Sequence, residues 1–170
     1  MVTTKHELNS ALIGMILFNG SMVNDHCLYI RHGHKQFDYI DEKVKYISKY
    51  LQPKSLRFSV DKAGFAYKYA YYNCPKLKNL YKKIYINEEK VLTPHIIHRF
   101  TPIALAIMLL DNGYLALRKD PKRPDVYKSR EIMISVNSFS KHEVEMLVNH
   151  LKKKWDLEFH ITTDRETSRI

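Results

Sequence analysis

Two asparagine–glycine pairs raise the question of whether the asparagine side chains carry chemistry or only end helices. Asn19-Gly20 closes the apolar run ALIGMILFNGS, and Asn112-Gly113 closes the run PIALAIMLLDNGY. Taken alone, each pair has a simpler interpretation, because Asn-Gly commonly ends a helix with the glycine in a left-handed C-cap conformation. The repetition of the pair raises the question of a shared site.

Positively charged residues predict a polyanionic partner. Lys and Arg outnumber Asp and Glu by 28 to 18, a formal charge of +10 over 170 residues, which favours nucleic acid over a membrane surface. Such side chains on strands and loops contact phosphates, and arginines also read guanine edges. The candidate nucleic-acid-binding residues are Arg31, His32, Arg57, Lys68, Arg118, Lys119, Lys122, Arg123, Lys128 and Arg130. The runs KLKNLYKK and LKKKW lie on predicted helices, where a solvated outer surface is the simpler interpretation.

Alternating tyrosines on a predicted strand leave two interpretations open. Tyr67, Tyr69 and Tyr71 could stack on unpaired RNA bases. They are in phase with Phe65, however, so packing in the core with the hydroxyls at its edge is the preferred interpretation.

Histidine pairs with metal-binding spacing do not make a convincing metal site. His32-x-His34 and His95-x-x-His98 could each supply two nitrogen ligands. Neither pair has a nearby cysteine or carboxylate set that completes a tetrahedral site, so no zinc is expected.

Composition also suggests a compartment. Cys27 and Cys74 lie far apart and fit a reducing environment. The longest apolar stretch is too short to cross a bilayer, so no membrane partner is expected, and the N-terminus does not resemble a signal peptide. Heavy use of Lys, Tyr, Ile and Asn suits an AT-rich genome. We therefore expect a protein made in an organelle, the mitochondrion, with a bacterial or phage-infected cytoplasm as the alternative.

Hydrophobic periodicity predicts the elements that position these residues. Spacings of three and four indicate helices, and alternation indicates strands. In the first half, the pattern predicts a buried helix over 7–18, a hairpin over 21–32, a helix from Phe37 to Leu51, a hairpin over 55–61 and 65–72, and a helix from Pro75.

The second half then begins the same order again. A buried helix over 103–111 precedes strands over 113–119 and 131–137, which the basic loop KDPKRPDVYKSR joins. Ser140 and Glu143 form a capping box that opens another helix, and a strand over 157–162 follows. A repeat of this length indicates a duplicated domain. The predicted halves are residues 1–90 and 91–170, which share one core, and the second half is incomplete.

The repeated segments resemble the LAGLIDADG homing endonuclease family. ALIGMILFNGS and ALAIMLLDNGY look like its two signature helices, and IRHGHKQFDYI and ISVNSFSKHEVEMLVNHLKKKWDLEFHI resemble the regions that follow them. The likeness covers about residues 7–162. It implies an α+β fold with pseudo-twofold symmetry, built from two αββαββα halves around a central pair of signature helices, the second half truncated. Small residues would let those helices approach closely: Ala11, Gly14, Ala104 and Ala106.

The resemblance also implies what the two asparagines replace. The residue before each motif's glycine is normally an acid, and the two acids hold divalent metal ions over the scissile phosphates of duplex DNA. Here these catalytic positions are Asn19 and Asn112. Loss of such ligands costs several kcal/mol of transition-state stabilisation, and each ~1.4 kcal/mol is a factor of ten in rate. We expect no cofactor, with Mg²⁺ bound only if nuclease activity is retained. Natural degeneration and deliberate replacement of both acids remain alternatives.

Three functions follow from this reading. The first is a non-cleaving RNA-binding protein, either an intron maturase or a component of a ribonucleoprotein such as a ribosome. The second is an intron-encoded, site-specific DNA endonuclease inactive only through its asparagines, and the third is a DNA-binding regulator. The incomplete second half would expose a sheet edge and a helix face. We therefore expect a protein or RNA partner over residues 157–170.

Overall fold

The computed structural model describes residues 4–48, 50–164 and 167–170, without the side chains of 163, 164 and 167–169. The chain divides into two compact units, Met1–Ile107 and Met108–Ile170. The halves 1–90 and 91–170 were predicted from the sequence repeat, whereas the two units are defined by their compactness. The division into halves therefore stays a prediction.

The first unit has the element order αββαββα that the resemblance implies, followed by shorter elements. Its main sheet is antiparallel with strand order β1-β2-β4-β3. Short 3₁₀ turns, His34–Gln36 and Pro75–Leu77, precede two of its helices. The elements are α1 (Lys5–Phe18), β1 (Ser21–Asn24), β2 (Cys27–Gly33), α2 (Phe37–Ile47), β3 (Ser55–Val60), β4 (Ala66–Asn73), α3 (Lys78–Ile84), β5 (Tyr85–Ile86), β6 (Glu89–Lys90), α4 (Pro94–Ile97) and the start of α5 (Pro102–Asn112).

Helix α1 is capped at its start and buried along most of its length. Thr4 and Glu7 form a capping box, so the helix begins two residues before the predicted start. A Cβ on Gly14 would lie 3.2 Å from the Ala104 Cα atom of α5. The two backbones therefore approach closely because these residues are small, which confirms the packing predicted for Gly14 and Ala104.

The helices cover one face of the main sheet. Leu28, Ile30, Ala70 and Tyr72 on this face are fully buried. Because successive residues of a strand point to opposite faces, Tyr67, Tyr69 and Tyr71 lie on the other face. The sequence-based expectation that this tyrosine series packs in the core is wrong. Alternation defined the two sets of side chains, but the position of the helices decided which set they cover.

Helix α2 and the segment after α3 also differ from the sequence-based expectation. Helix α2 ends at Ile47 rather than near Pro53. The composition of residues 86–100 predicts a linker, but this segment contains α4 and most of the small β5–β6 hairpin. Asn87 and Glu88 form the hairpin turn with positive φ angles of 51° and 67°.

The second unit contains the end of α5 and a long hairpin, followed by a helix and a short strand pair. Its elements are β7 (Gly113–Asp120), β8 (Arg123–Ile134), α6 (Lys141–Trp155), β9 (Thr162–Asp164) and β10 (Thr167–Arg169). Ser140 and Glu143 form the predicted capping box of α6. The predicted strand over 157–162 is wrong, because regular structure after α6 resumes only at Thr162.

The basic segment 119–130 is also not the loop that its composition predicts. Most of it belongs to β8, which pairs with β7 through bulges at Arg118, Lys119 and Asp120. The Asp120 carboxylate holds the turn, since it accepts hydrogen bonds from the Lys122 backbone N–H at 2.9 Å and from the Arg123 guanidinium at 3.1 Å. The basic residues therefore project from a long ribbon.

Within the described residues, no helix has both the length and the apolar character that crossing a lipid bilayer requires.

Candidate nucleic-acid interface

The uncovered face of the main sheet carries arginines and tyrosines in cross-strand rows. We call this surface the open face. Arg31 on β2 lies opposite Tyr69 on β4, which lies opposite Arg57 on β3. In the adjacent row, Tyr29 lies opposite Tyr71. Neighbours of this kind on one face of an antiparallel sheet interact directly.

Ring contacts hold the side chains of this face in place. The Arg31 guanidinium carbon lies 4.7 Å from the centre of the Tyr67 ring, a distance typical of a cation–π contact. The rings of Tyr29 and Tyr71 are 4.6 Å apart. A hydrogen bond between Tyr71 and the Cys27 thiol, together with burial, raises the pKa of Tyr71. The Tyr71 phenol therefore stays protonated at neutral pH.

The open face forms a hollow beside the end of α1. This hollow has a volume of about 560 Å³ and is lined by Asn19, Ser21, Tyr29, Arg31 and Tyr69. A guanidinium and two phenol rings offer a cation and flat aromatic faces, while the amide and hydroxyl groups donate and accept hydrogen bonds. These groups suit a ligand that combines phosphate with aromatic bases.

Asn19 and Gly20 end α1 at this hollow. Asn19 is the C-cap residue and is exposed. Gly20 is required for space, because a Cβ there would lie 2.7 Å from the Met15 carbonyl oxygen. The expected left-handed conformation is wrong, since Gly64 is the glycine that has a positive φ among the described residues.

Lys90 at the same helix end was not among the candidate residues. Its ammonium group donates a hydrogen bond of 2.7 Å to the Gly20 carbonyl oxygen and lies 3.5 Å from that of Leu17. A cation is favourable where a helix leaves carbonyl groups unpaired. Burial lowers the pKa of Lys90. No sequence signal marked this residue, because it arrives from the β5–β6 hairpin, far along the chain.

Asn112 is bound to its own unit and has surroundings unlike those of Asn19. Its side-chain Nδ2 group donates a 2.9 Å hydrogen bond to the Ser135 backbone carbonyl oxygen, and its backbone carbonyl oxygen accepts one of 2.9 Å from the Ser135 N–H. The neighbouring Gly113 leaves no room for a side chain, because a Cβ would lie 2.3 Å from the Leu109 carbonyl oxygen. The amide at 112 therefore has a structural role that a carboxylate could not fill.

The structure does not bring all the candidate residues to the open face. His32 and Lys68 lie on the helix-covered face. His32 is 2% exposed and lies 2.9 Å from the Lys43 ammonium nitrogen. The ammonium has protons to donate and no lone pair, so the imidazole nitrogen accepts. Lys68 forms an ion pair with Asp41 on α2. Both side chains therefore have structural partners.

The remaining candidates project from the β7–β8 hairpin of the second unit. Arg118 pairs with Glu131 at 3.4 Å, and Arg123 pairs with Asp120 at 3.1 Å. All six are exposed to solvent: Arg118, Lys119, Lys122, Arg123, Lys128 and Arg130.

Comparison with protein families and solved structures decides the family. The family model described as the LAGLIDADG DNA endonuclease family matches residues 9–170. The chain belongs to the LAGLIDADG DNA endonuclease family. A comparison with curated proteins gave no significant match.

Solved structures confirm the LAGLIDADG fold. The homing endonuclease I-WcaI, bound to its DNA recognition sequence, is similar with a TM-score of 0.75 and 22% identity, over 99% of this chain and 76% of that one. Full-length DUF199/WhiA from Thermatoga maritima gives a TM-score of 0.60 at 15% identity, over 99% and 51% of the chains. The N-terminal LAGLIDADG domain of DUF199/WhiA gives 0.55 at 16% identity, over 98% and 75%. At these identities the likeness establishes the fold.

The residues at the LAGLIDADG motif ends do not fit a divalent metal ion well. Mg²⁺ is usually held by carboxylates together with phosphate, whereas Asn19 and Asn112 carry neutral amides. Asn112 also uses its amide to bind the Ser135 backbone. Across residues 4–48, 50–164 and 167–170, no three His, Cys, Asp or Glu side chains come together as a metal site.

Proposed function

We propose that this LAGLIDADG protein binds structured RNA on the open face and does not cleave nucleic acid. The observation that carries the proposal is the hollow at the end of α1. There, the exposed amide of Asn19 stands beside Arg31, Tyr29 and Tyr69. The hollow carries groups suited to nucleic acid, but a neutral amide occupies the position that the family resemblance assigns to an acid.

The aromatic side chains of the open face support RNA as the ligand. Tyr29, Tyr69 and Tyr71 are half-buried and present ring surface beside Arg31 and Arg57. Proteins recognise RNA largely through unpaired bases that stack on aromatic rings or guanidinium planes. Each such stack contributes about 1–3 kcal/mol. A lapsed endonuclease with this surface suits a maturase or a component of a ribonucleoprotein.

Duplex DNA is the second candidate ligand. The observation in its favour is the fold similarity to I-WcaI, which was solved with its DNA recognition sequence. Antiparallel strands can enter the major groove, where arginines contact guanine edges. Under this alternative, the chain is either a homing endonuclease inactive only through Asn19 and Asn112, or a DNA-binding regulator.

Competition between a structured group I intron RNA and a duplex of equal length distinguishes the two ligands. We expect the RNA to displace a labelled RNA at lower concentration than the duplex does, across a range of salt concentrations. The double variant Arg31→Gln/Arg57→Gln should weaken binding at least tenfold. The charge-matched control Lys45→Gln/Lys141→Gln, at two exposed positions that belong neither to the open face nor to its hollow, should change it less than twofold. Preferential binding of the duplex would contradict the RNA assignment.

A cleavage assay tests the absence of nuclease activity. With Mg²⁺ and duplex DNA carrying candidate target sites, we expect no specific double-strand cleavage by this chain. Restoring cleavage should require both Asn19→Asp and Asn112→Asp. Robust specific cleavage by the unaltered protein would show that the proposal of a non-cleaving protein is wrong.

We also propose that a protein or RNA partner covers residues 157–170. Residues 165 and 166 of this segment lie outside the described residues. Its end lies beside β8, because Ile170 and Ile134 exchange two backbone hydrogen bonds of 2.8 and 3.1 Å. On the same hairpin, Leu115 and Ile132 are 58% and 63% exposed. Size-exclusion chromatography with light scattering tests this proposal, and a stable ligand-free monomer would contradict it.

The mitochondrion stays the proposed compartment on composition alone.

A further inference from the structure

A second hollow lies among the helices of the first unit, which we call the helix-side hollow. It lies between α1, the segment that follows α2, the 3₁₀ turn Pro75–Leu77 with α3, and Arg99. It shares no lining residue with the hollow on the open face. Its volume is about 230 Å³, whereas one water molecule occupies roughly 30 Å³ of the liquid. It therefore has room for a ligand larger than water.

Three cations meet at the helix-side hollow. Lys76, Lys83 and Arg99 line it, and the described residues that line it include no acid. Lys76, Asn79 and Lys83 are separated by three and four residues, the spacing that aligns side chains on one side of a helical segment. Arg99 comes from a separate part of the chain, after α4. The convergence therefore arises from tertiary structure as well as from the lysine-rich sequence.

The other lining groups complete a site that favours anions. Asn9 and Asn79 bring carboxamide groups, each with two N–H donors. Leu12 and Leu77, which are 1% and 2% exposed, form part of its apolar floor. A cation above an apolar floor is less screened than one on a flat, wet surface. The donors and charges therefore act together on whatever enters.

Neighbouring groups show that the positive charge around this hollow is uncompensated. The Lys76 ammonium nitrogen lies 5.2 Å from the centre of the Tyr50 ring. Within the described part of the chain, none of the three cations makes an ion pair with an acidic side chain. Burial, with the nearby charges of Arg99, Lys83 and His98, lowers the pKa of His95. Lys76 and Lys83 are exposed, as expected for the lysine-rich run, and Arg99 is half-buried, so an anion can approach these cations from solvent.

We propose that the helix-side hollow binds a phosphate group of a nucleic-acid backbone. Three cations exceed what a single carboxylate neutralises, and a guanidinium beside two ammonium groups suits the several oxygens of phosphate. The choice of ligand rests on the proposed nucleic-acid binding, but the site itself stands on its own geometry. Occupation of both hollows by one RNA would require a folded molecule that contacts two surfaces of the same unit.

The first experiment uses inorganic phosphate as the probe. In a two-dimensional NMR titration at constant ionic strength, phosphate should shift the side-chain amide signals of Asn9 and Asn79. The triple variant Lys76→Gln/Lys83→Gln/Arg99→Gln should lose these shifts. The control Lys45→Gln/Lys141→Gln/Lys153→Gln removes the same net charge at exposed positions outside both hollows and should retain them. Urea unfolding of both variants verifies that they are folded.

The second experiment measures RNA affinity of the same three proteins. The triple variant should bind a structured RNA about tenfold more weakly. The plot of log K against log salt should become less steep by about one unit. The control should change affinity less than twofold. Absence of the phosphate shifts, with equal RNA affinity in the triple variant and the control, would overturn the phosphate site and leave the proposed function intact. Phosphate shifts in a protein that binds no RNA would instead overturn the proposed function and leave the phosphate site standing.

Discussion

Replacing Asn112 by aspartate tests whether this amide has become part of the fold. In the structure, its Nδ2 group donates to the Ser135 carbonyl oxygen at 2.9 Å. An ionised aspartate has no proton to donate, so it would place one acceptor against another. The lost hydrogen bond costs about 1 kcal/mol, and leaving the carbonyl without its partner adds about 1–2 kcal/mol. Because Asn112 is half-buried, partial rotation toward solvent reduces the total to about 2 kcal/mol.

Tryptophan fluorescence during urea unfolding reports on the second structural unit, which contains Asn112. Trp155, the one tryptophan of the sequence, lies at the end of α6 in the second unit. With a urea slope of about 2 kcal/mol per molar, Asn112→Asp should lower the midpoint by about 1 M at pH 7.5. The control Asn19→Asp, at an exposed position, should change the free energy of unfolding by less than about 0.5 kcal/mol.

The pH dependence of Asn112→Asp provides a second signature. A protonated aspartic acid can donate to the Ser135 carbonyl oxygen, so folding should raise the pKa of the introduced carboxyl above its unfolded value of about 3.9. The destabilisation relative to the unaltered protein is then small near pH 4. It grows as pH rises from the unfolded pKa through the folded pKa, and is complete above it. A difference below about 0.5 kcal/mol at pH 7.5, or one that does not change with pH, would refute this reasoning.

Three further substitutions test individual contacts, each by chemical unfolding. Gly113→Ala should destabilise the protein by about 2 kcal/mol or more, because its Cβ would lie 2.3 Å from a backbone carbonyl oxygen. The control is Gly33→Ala, where a Cβ meets nothing within 4 Å. Equal stabilities of the two variants would contradict the steric argument. Ser140→Ala removes the N-cap of α6 and should cost about 1 kcal/mol, which Ser140→Asp should largely restore. Lys90→Met should cost about 1–2 kcal/mol, because the carbonyl of Gly20 loses a charged donor; an unchanged midpoint would show that water replaces the ammonium without loss.

Local patterns were sufficient to predict most of the elements of the first unit. The apolar spacing of α1, the heptad-like spacing of α2 and the alternation of β3 and β4 are properties of neighbouring residues. The prediction failed where hydrogen bonding between two strands produced a structure that the residue composition does not indicate. The prolines and charges of segment 119–130 are typical of a loop, but hydrogen bonding to β7 makes most of it a strand.

The candidate interface could be predicted only in part, for a related reason. Arg31 and Arg57 were correctly assigned to strands and lie on the open face. His32 and Lys68 are on the same strands or their neighbour, but they lie on the face that the helices cover. A shift of one residue along a strand reverses the side to which a side chain points. No local signal states which side the helices will cover.

The sequence by itself therefore determined the family, the repeated helix–hairpin order and the two asparagines at the motif ends, because these depend on residue types and short spacings. Only the tertiary structure decided that the tyrosines are available to a ligand, that the Asn112 amide binds the Ser135 backbone, and that Lys90 caps α1. It alone also brought Arg99 to Lys76 and Lys83 in the helix-side hollow. These features join residues distant along the chain, so their contacts form only when each unit folds and no local pattern predicts them.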